Sequence, residues 1–305
     1  MKKNKNRIKL RYGENPNQTA YLISNKKKSI FDYQLSGKKI SYNNIVDIDS
    51  GLKCLYEFHE PTSIIVKHTN PCGVASGKNI NDAFKKSYNC DTKSAFGGII
   101  FLNRKVKLAL AKVITKNFFE MVVATDFEKK AIQKLKLKKN LILLKIPNIT
   151  KPTKSNRSTL FGDLFQTNDL NYINKNFLKL SSERKATEKL VDDLIFSIKV
   201  VKHLKSNAVA LVKDKQTVGL GHGQTNRIDA LKFALKNKYI YFKKKSFVCA
   251  SDGFFPFTDG INFLNKNGCS VLAQPAGSIN DKKIIIFANR KKMSLYQIKN
   301  RLFKH

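Results

Sequence analysis

The sequence is poor in acid and in arginine. It holds 22 Asp and Glu against 58 Lys and Arg, a formal net charge of +36, and only eight of the basic residues are Arg. A reader of nucleic acid would concentrate Arg, whose planar fork grips phosphates and base edges bidentately. Here Lys is scattered instead, as at Lys26 to Lys28, Lys134, Lys136, Lys138, Lys139 and Lys243 to Lys245, with no single stripe interleaved with aromatics. The charge therefore reads as compositional drift toward Lys, Asn, Ile and Phe, and nucleic acid is not the expected partner. A lysine-rich surface would still attract anionic substrates through a field that salt weakens.

Cysteine is also sparse. Cys54, Cys72, Cys90, Cys249 and Cys269 make an odd count with no C-x-x-C spacing, which argues against both a disulfide framework and a zinc cluster. A zinc deaminase needs H-x-E followed by P-C-x-x-C, but Pro71 and Cys72 are followed by Gly73, Val74 and Ala75. No G-x-S-x-G nucleophile elbow occurs. No apolar stretch approaches the roughly 18 residues of a membrane span. The opening MKKNKNRIKL lacks the apolar core of a secretory signal. A reducing cytoplasm is the expected setting, and no metal is expected.

What is present is a chain 42% hydrophobic, with short apolar runs alternating with amphipathic ones. SIIVKH (63–68), GGIIFLN (97–103), EMVVAT (120–125) and NLILLKI (140–146) read as strands. Helices are expected over 81–89, near 105–116 and from Phe127. The stretch 147–159 is rich in Pro, Ser, Asn and Thr and reads as a loop. A long helix is expected over 182–204, with Ser182 as N-cap. AVALVKD (208–214) and TVGLG (217–221) predict a hairpin turning near Lys215 and Gln216. A helix over 226–235 and strands at FVCAS (247–251), SVLAQ (270–274) and IIIFA (284–288) complete a second series. The alternation predicts α/β layers on a substantially parallel sheet. The halves are alike in layout without a clear sequence repeat.

Several segments carry chemistry. VKHTNPCG (66–73) ends a buried strand with Lys67 and His68, a fixed positive donor beside a proton acceptor. Strand ends in α/β proteins open onto ligand crevices; the competing reading is an ordinary strand–loop junction. SAFGGI (94–99) sets two glycines where a backbone can approach a ligand, or where a strand simply begins. GLGHGQTNR (219–227) places glycines before a helix, where amides can cradle an anion. It fits neither the dinucleotide fingerprint nor a P-loop. SDGFFPFTDGIN (251–262) rings Pro256 with Phe254, Phe255 and Phe257 and flanks them with Asp252 and Asp259. It suits either a grip on a flat heterocycle or a hydrophobic plug. QPAGSIND (274–281) offers Ser278 as an N-cap. The basic tail RLFKH puts Arg301 where it can grip a phosphate, although such ends are usually frayed.

Taken in order, LRYGENPNQ, SYNNIVD, VKHTNPCG, SAFGGI, SNAV, GHGQTNR, SDGFFPFTDG, QPAGSIND and RLFKH resemble the AICAR formyltransferase (transformylase) part of the bifunctional purine biosynthesis protein. The resemblance runs from Leu10 to His305. It implies two cytidine-deaminase-like α/β/α lobes without zinc, joined by a helical segment: a basic lead over 1–9, lobes over 10–180 and 206–305, and a connecting helix over 181–205. It implies a homodimer with active sites at the subunit interface, and formyl transfer from 10-formyltetrahydrofolate to the AICAR nucleotide. His68 matches the proton acceptor, Lys67 the transition-state stabiliser and Asn207 an amide near the reacting amine. Arg11, Tyr12, Asn44, Gly97, Glu120, Phe254 and Arg301 match nucleotide contacts, with Arg301 on the phosphate. Arg227, Ile228, Phe257, Asp259 and Ser278 match folate contacts.

The departures are specific. The family's N-terminal IMP cyclohydrolase domain has no counterpart in this sequence, so a separate cyclohydrolase is a candidate partner. His222 stands where the family has a smaller residue. Gly253, Ala276, Asn280 and Asn17 replace residues commonly Ala, Gly, Arg and His. A basic scaffold or nucleic-acid-binding protein that has lost catalysis is the alternative. It accounts for the charge but not for the ordered motifs.

Overall fold

A computed structural model describes residues 7–24, 28–148, 150, 152–242 and 246–305. Most of the basic lead, and the lysines at 26, 27 and 243–245, lie outside the described residues. In chain order, β1 (Arg7–Lys9) and β2 (Tyr21–Ile23) form a small antiparallel pair, and β3 (Gln34–Ser36) follows. Next come α1 (Tyr42–Leu55), β4 (Thr62–Lys67), β5 (Asn70–Ser76), α2 (Ile80–Tyr88), the short α3 (Thr92–Ala95), β6 (Ile99–Leu102), α4 (Leu108–Ile114), β7 (Met121–Ala124), α5 (Lys129–Lys136) and β8 (Ile142–Lys145). β9 (Lys154–Thr159), β10 (Gly162–Thr167) and β11 (Lys179–Leu180) intervene. The second series is α6 (Glu188–Val201), β12 (Val209–Lys213), β13 (Gln216–Gly221), α7 (Arg227–Tyr241), β14 (Phe247–Ser251), α8 (Thr258–Lys266), β15 (Cys269–Pro275), α9 (Asp281–Arg290) and β16 (Ser294–Ile298).

Apart from α3, the run α1 to β8 and the run α6 to β16 have the same order of elements. Their strands also pair alike, as β5-β4-β6-β7-β8 and β13-β12-β14-β15-β16, and the halves meet where β13 pairs with β5. One twelve-stranded sheet results. The first two strands of each half form a two-residue hairpin whose loop residues both have positive φ: His68 and Thr69 in the first, Asp214 and Lys215 in the second. That is the primed-turn geometry that matches strand twist.

The sheet is mixed, which corrects the expectation of a substantially parallel one. Parallel pairing is confined to β6-β7-β8 and β14-β15-β16. The hairpins reverse the chain between those runs and make the centre antiparallel.

Helices cover both faces. α1 and α6 bury Leu55, Leu194 and Ile198 on one side, against Phe101, Val123, Ala210 and Val248. On the other side α2, α4 and α5 pack Phe84, Leu110 and Leu135 over the first half. Leu231, Leu264 and Ile284 of α7, α8 and α9 do so over the second. Strands covered on both faces read as continuous apolar runs, which is why Ile99–Leu102 and Met121–Ala124 are wholly buried.

Other boundaries move for local reasons. α6 starts at Glu188 after Thr187, not at Ser182. The Ser182 hydroxyl instead accepts the Leu295 N–H at 2.7 Å, which ties the preceding segment to β16. α5 starts at Lys129, two residues after Phe127, and the Glu128 side chain before it accepts the Leu108 N–H at the start of α4 at 2.9 Å. The hairpin turn falls at Asp214–Lys215, whose N–H groups both donate to Asp193. α9 is preceded by Asn280 rather than Ser278. IIIFA belongs to α9, not to a strand, and the last strand is Ser294–Ile298. The region expected to be loop over 147–159 ends in β9, which pairs with β10 as an exposed hairpin.

Candidate active site on one edge of the sheet

The strand registers bring the singled-out segments together. Val66 pairs with Ile99, so the end of β4 lies beside the start of β6. Ile99 pairs with Met121, placing Glu120 next along. Val209 pairs with both Gly221 and Ser251, so the start of β12 lies between the ends of β13 and β14. The ends of β15 and β16 follow in parallel register. Lys67 and His68, Gly97, Glu120, Asn207, His222, Asp252 to Phe257, Ala276 to Ser278 and Arg301 thus share one edge of the sheet. Strand ends in α/β architectures form such crevices because the loops leaving adjacent strands diverge there.

The centre is the β4–β5 turn. A β-branched residue at positive φ is an outlier, and such strain costs on the order of 1–3 kcal/mol. Thr69, at φ 65, is one. It is held from three sides. Its N–H donates to Asp47 Oδ1 at 2.6 Å, its carbonyl accepts from Ser50 Oγ at 2.5 Å, and Asn70 Nδ2 donates to the His68 carbonyl at 3.1 Å. Burial pushes the Asp47 carboxyl up, opposed by that N–H and by His68. The His68 side chain is left exposed at the turn. Lys67 Nζ donates to the Phe96 carbonyl at 2.8 Å, which joins the turn to the glycine loop. Gly97 has φ 73 and donates to the Phe118 carbonyl, a conformation for which glycine is suited.

A cavity of about 190 Å³ is lined by Lys67, His68, Asn70, Asp91, His222 and Phe233, among others. His222, the departure from the family pattern, therefore faces the same space as His68. Its burial, with Lys304 and Lys205 nearby, holds its imidazole below the ordinary range.

Asn207 and Arg227 are more committed than a ligand-contact role implies. Asn207 Nδ2 donates to the carbonyls of Gln224 and Thr225, and its Oδ1 accepts from Arg227. Arg227 also donates to Ser251 Oγ and pairs with the fully buried Asp252. The glycine loop before α7 is likewise occupied. Gly223 N–H donates to Lys205, and Asn226 caps the helix by accepting from Asp229 N–H. Asn44, matched by resemblance to a nucleotide contact, is buried in a reciprocal capping box with Ser41 at the start of α1.

The segments carrying the residues matched to folate contacts lie close to one another. Ile228 lies beside Gly260, and Arg227 beside Gly253. Asn280 Nδ2 donates to the Pro256 carbonyl at 2.8 Å, joining the aromatic loop to the Ser278 loop. Within the aromatic loop the roles divide. Phe255 is buried as a plug, whereas Phe257 is 65% exposed and Asp259 is exposed. Arg301 is exposed over the Phe303 ring. Arg11 and Tyr12 bond to each other, and Glu120 pairs with Lys38 at 2.7 Å.

Sequence reasoning missed Asp47 and Ser50, which sit on α1 at ordinary helical spacing. It gave Lys304 no role within the RLFKH tail, for which a frayed end was the competing reading, although its ammonium is held among oxygens. No group of three or more His, Cys, Asp or Glu side chains placed to hold a metal ion occurs among the described residues. No described helix is long and apolar enough to cross a membrane.

Comparison with known proteins decides the family. The model of the AICARFT/IMPCHase bienzyme family matches residues 1–237. The chain belongs to this family. Proteins named bifunctional purine biosynthesis protein PurH are 45% identical in Caldicellulosiruptor saccharolyticus, 42% in Acetivibrio thermocellus and 41% in Persephonella marina. Each alignment covers 97% of this chain and 59% of the relative's length. The chain thus spans under two thirds of the relatives it matches.

Proposed function

We propose that this edge of the sheet transfers a formyl group from 10-formyltetrahydrofolate to the 5-amine of AICAR, giving FAICAR in purine (IMP) synthesis. The observation that carries the reading is the convergence of His68, Lys67, Asn207 and the 252–260 and 276–280 loops on one edge, within a member of the AICARFT/IMPCHase family. The amine nitrogen attacks the formyl carbon, and the bond from that carbon to N10 of the folate breaks. His68 takes the proton from the attacking amine, and N10 takes up a proton as tetrahydrofolate leaves, so the transfer consumes none overall. The Lys67 ammonium stabilises the negative charge on the formyl oxygen, an effect worth on the order of 3 kcal/mol when preorganised. Arg301 receives the nucleotide phosphate. Phe257 and the Asp259 carboxylate, both exposed, receive the folate's flat ring and its N–H groups.

The reading includes two cytidine-deaminase-like lobes, for which the repeated element order is the support. It also includes a homodimer. The β9–β10 hairpin exposes Leu160, Phe161, Leu164 and Phe165, and an apolar arm of this kind suits a second copy of the chain. The partner activity for ring closure in this reading is an IMP cyclohydrolase, the other activity in the bienzyme family's description. Five free thiols suit a cytoplasmic setting. The test is direct: purified chain, AICAR and 10-formyltetrahydrofolate should yield tetrahydrofolate and FAICAR in equal amounts. No turnover by folded dimer would refute the proposal.

A further inference from the structure

Lys304 lies far from His68 in sequence, yet its ammonium reaches the turn that carries it. Nζ is 3.1 Å from Ser50 Oγ, 3.0 Å from the His203 carbonyl and 3.5 Å from the Thr69 carbonyl. Ser50 Oγ itself donates to that Thr69 carbonyl. The Lys304 backbone is fixed in turn. Its N–H donates to Ser206 Oγ at 3.2 Å, and its carbonyl accepts the Ser206 N–H at 2.9 Å. One residue earlier, the Lys205 N–H donates to Asn70 Oδ1 at 3.2 Å. Residues 68–70, 205–206 and 304 therefore close a ring of hydrogen bonds around the turn.

A buried ammonium carries a desolvation cost. Burial, with Lys53 and Lys205 nearby, depresses its pKa. Ser50 and Thr69 belong to the first half of the sheet, and His203 and Ser206 to the approach to the second. The cation thus bridges the halves where the strained residue Thr69 needs fixing.

We infer that Lys304 is a positioning residue for formyl transfer, holding His68 in place through Ser50 and the Thr69 carbonyl. The inference rests on the proposed reaction for its kinetic consequence only. An ammonium supplies charge-assisted bonds to oxygen that a thioether cannot. Loss of about an ångström of registration at a catalytic group costs up to about a hundredfold in rate.

Lys304→Met keeps the apolar stem and removes the donors. It is expected to lower kcat by about tenfold to a hundredfold, with KM for the nucleotide changed less than about twofold. Lys304→Arg should retain more of the rate, and Ser50→Ala should add little to Lys304→Met, because both act through one carbonyl. Circular dichroism and melting temperature separate this outcome from unfolding. Amide hydrogen exchange at Thr69 reads the turn without turnover and should quicken in Lys304→Met. An active wild type with undiminished kcat in Lys304→Met, additive effects with Ser50→Ala, or unchanged Thr69 exchange would overturn the inference. An inactive wild type with quickened exchange would count against the reaction and leave the positioning intact.

Discussion

Asn207 and Arg227 are bonded side chain to side chain at 2.9 Å, and Arg227 passes the connection to buried Asp252. Three places on the site edge are locked by this chain: the approach to β12, the start of α7 and the end of β14.

Removing the cation from that chain strands a carboxylate. Arg227→Met is expected to destabilise the fold by about 3–5 kcal/mol, the usual consequence of leaving a buried charge unpaired. The double variant Arg227→Met with Asp252→Leu should recover part of the loss. Urea unfolding of the three proteins checks both statements.

Helix α7 approaches β13 through glycine. A Cβ at Gly221 would clash with the Ala230 carbonyl oxygen, far inside van der Waals contact. Gly221→Ala should therefore lower stability by about 1–3 kcal/mol, as overpacking does. A thermal melt showing no loss would mean that helix and strand do not pack this closely.

Buried His203 gives stability a pH dependence. Burial holds its imidazole below the ordinary 6.5, against the pull of Glu57 and with Lys304 and Lys202 assisting. As pH falls through about 6.5, the unfolded chain takes up a proton that the folded chain does not. Stability is therefore kept at neutral pH and lost as pH drops from 6.5 toward the depressed folded value. Urea midpoints should fall between about pH 7 and pH 5.5 in the wild type, and fall less in His203→Gln.

Much of this site is legible in the sequence because its segments are contiguous. VKHTNPCG, SAFGGI and SDGFFPFTDG each leave a strand end intact as a string of letters. The strands were legible because residues such as Ile99–Leu102 are buried on both faces. The mixed sheet was not, since pairing direction depends on which strands meet across the chain. The roles of Asp47, Ser50 and Lys304 were hidden for the same reason, even though SYNNIVD and RLFKH were singled out: each contacts the turn from a distant position. The β9–β10 hairpin escaped because β9 is polar throughout and lies between Pro152 and Gly162, so it reads as loop until its pairing with β10 is seen.

The exposed hairpin yields an oligomer prediction. Leu160→Asp with Phe161→Asp removes two fully exposed apolar side chains. Sedimentation velocity should show the wild type as a dimer and the variant shifted toward monomer, with formyl transfer falling in step. A monomeric, fully active wild type would remove the dimer from the account.

The central claim is that His68 accepts the proton of the attacking amine. The most direct measurement is kcat for formyl transfer by His68→Ala against wild type, with nucleotide affinity measured alongside by calorimetry. A loss of about a hundredfold to ten-thousandfold in kcat, at nearly unchanged affinity, is the expected result. Wild-type turnover in the variant would contradict it.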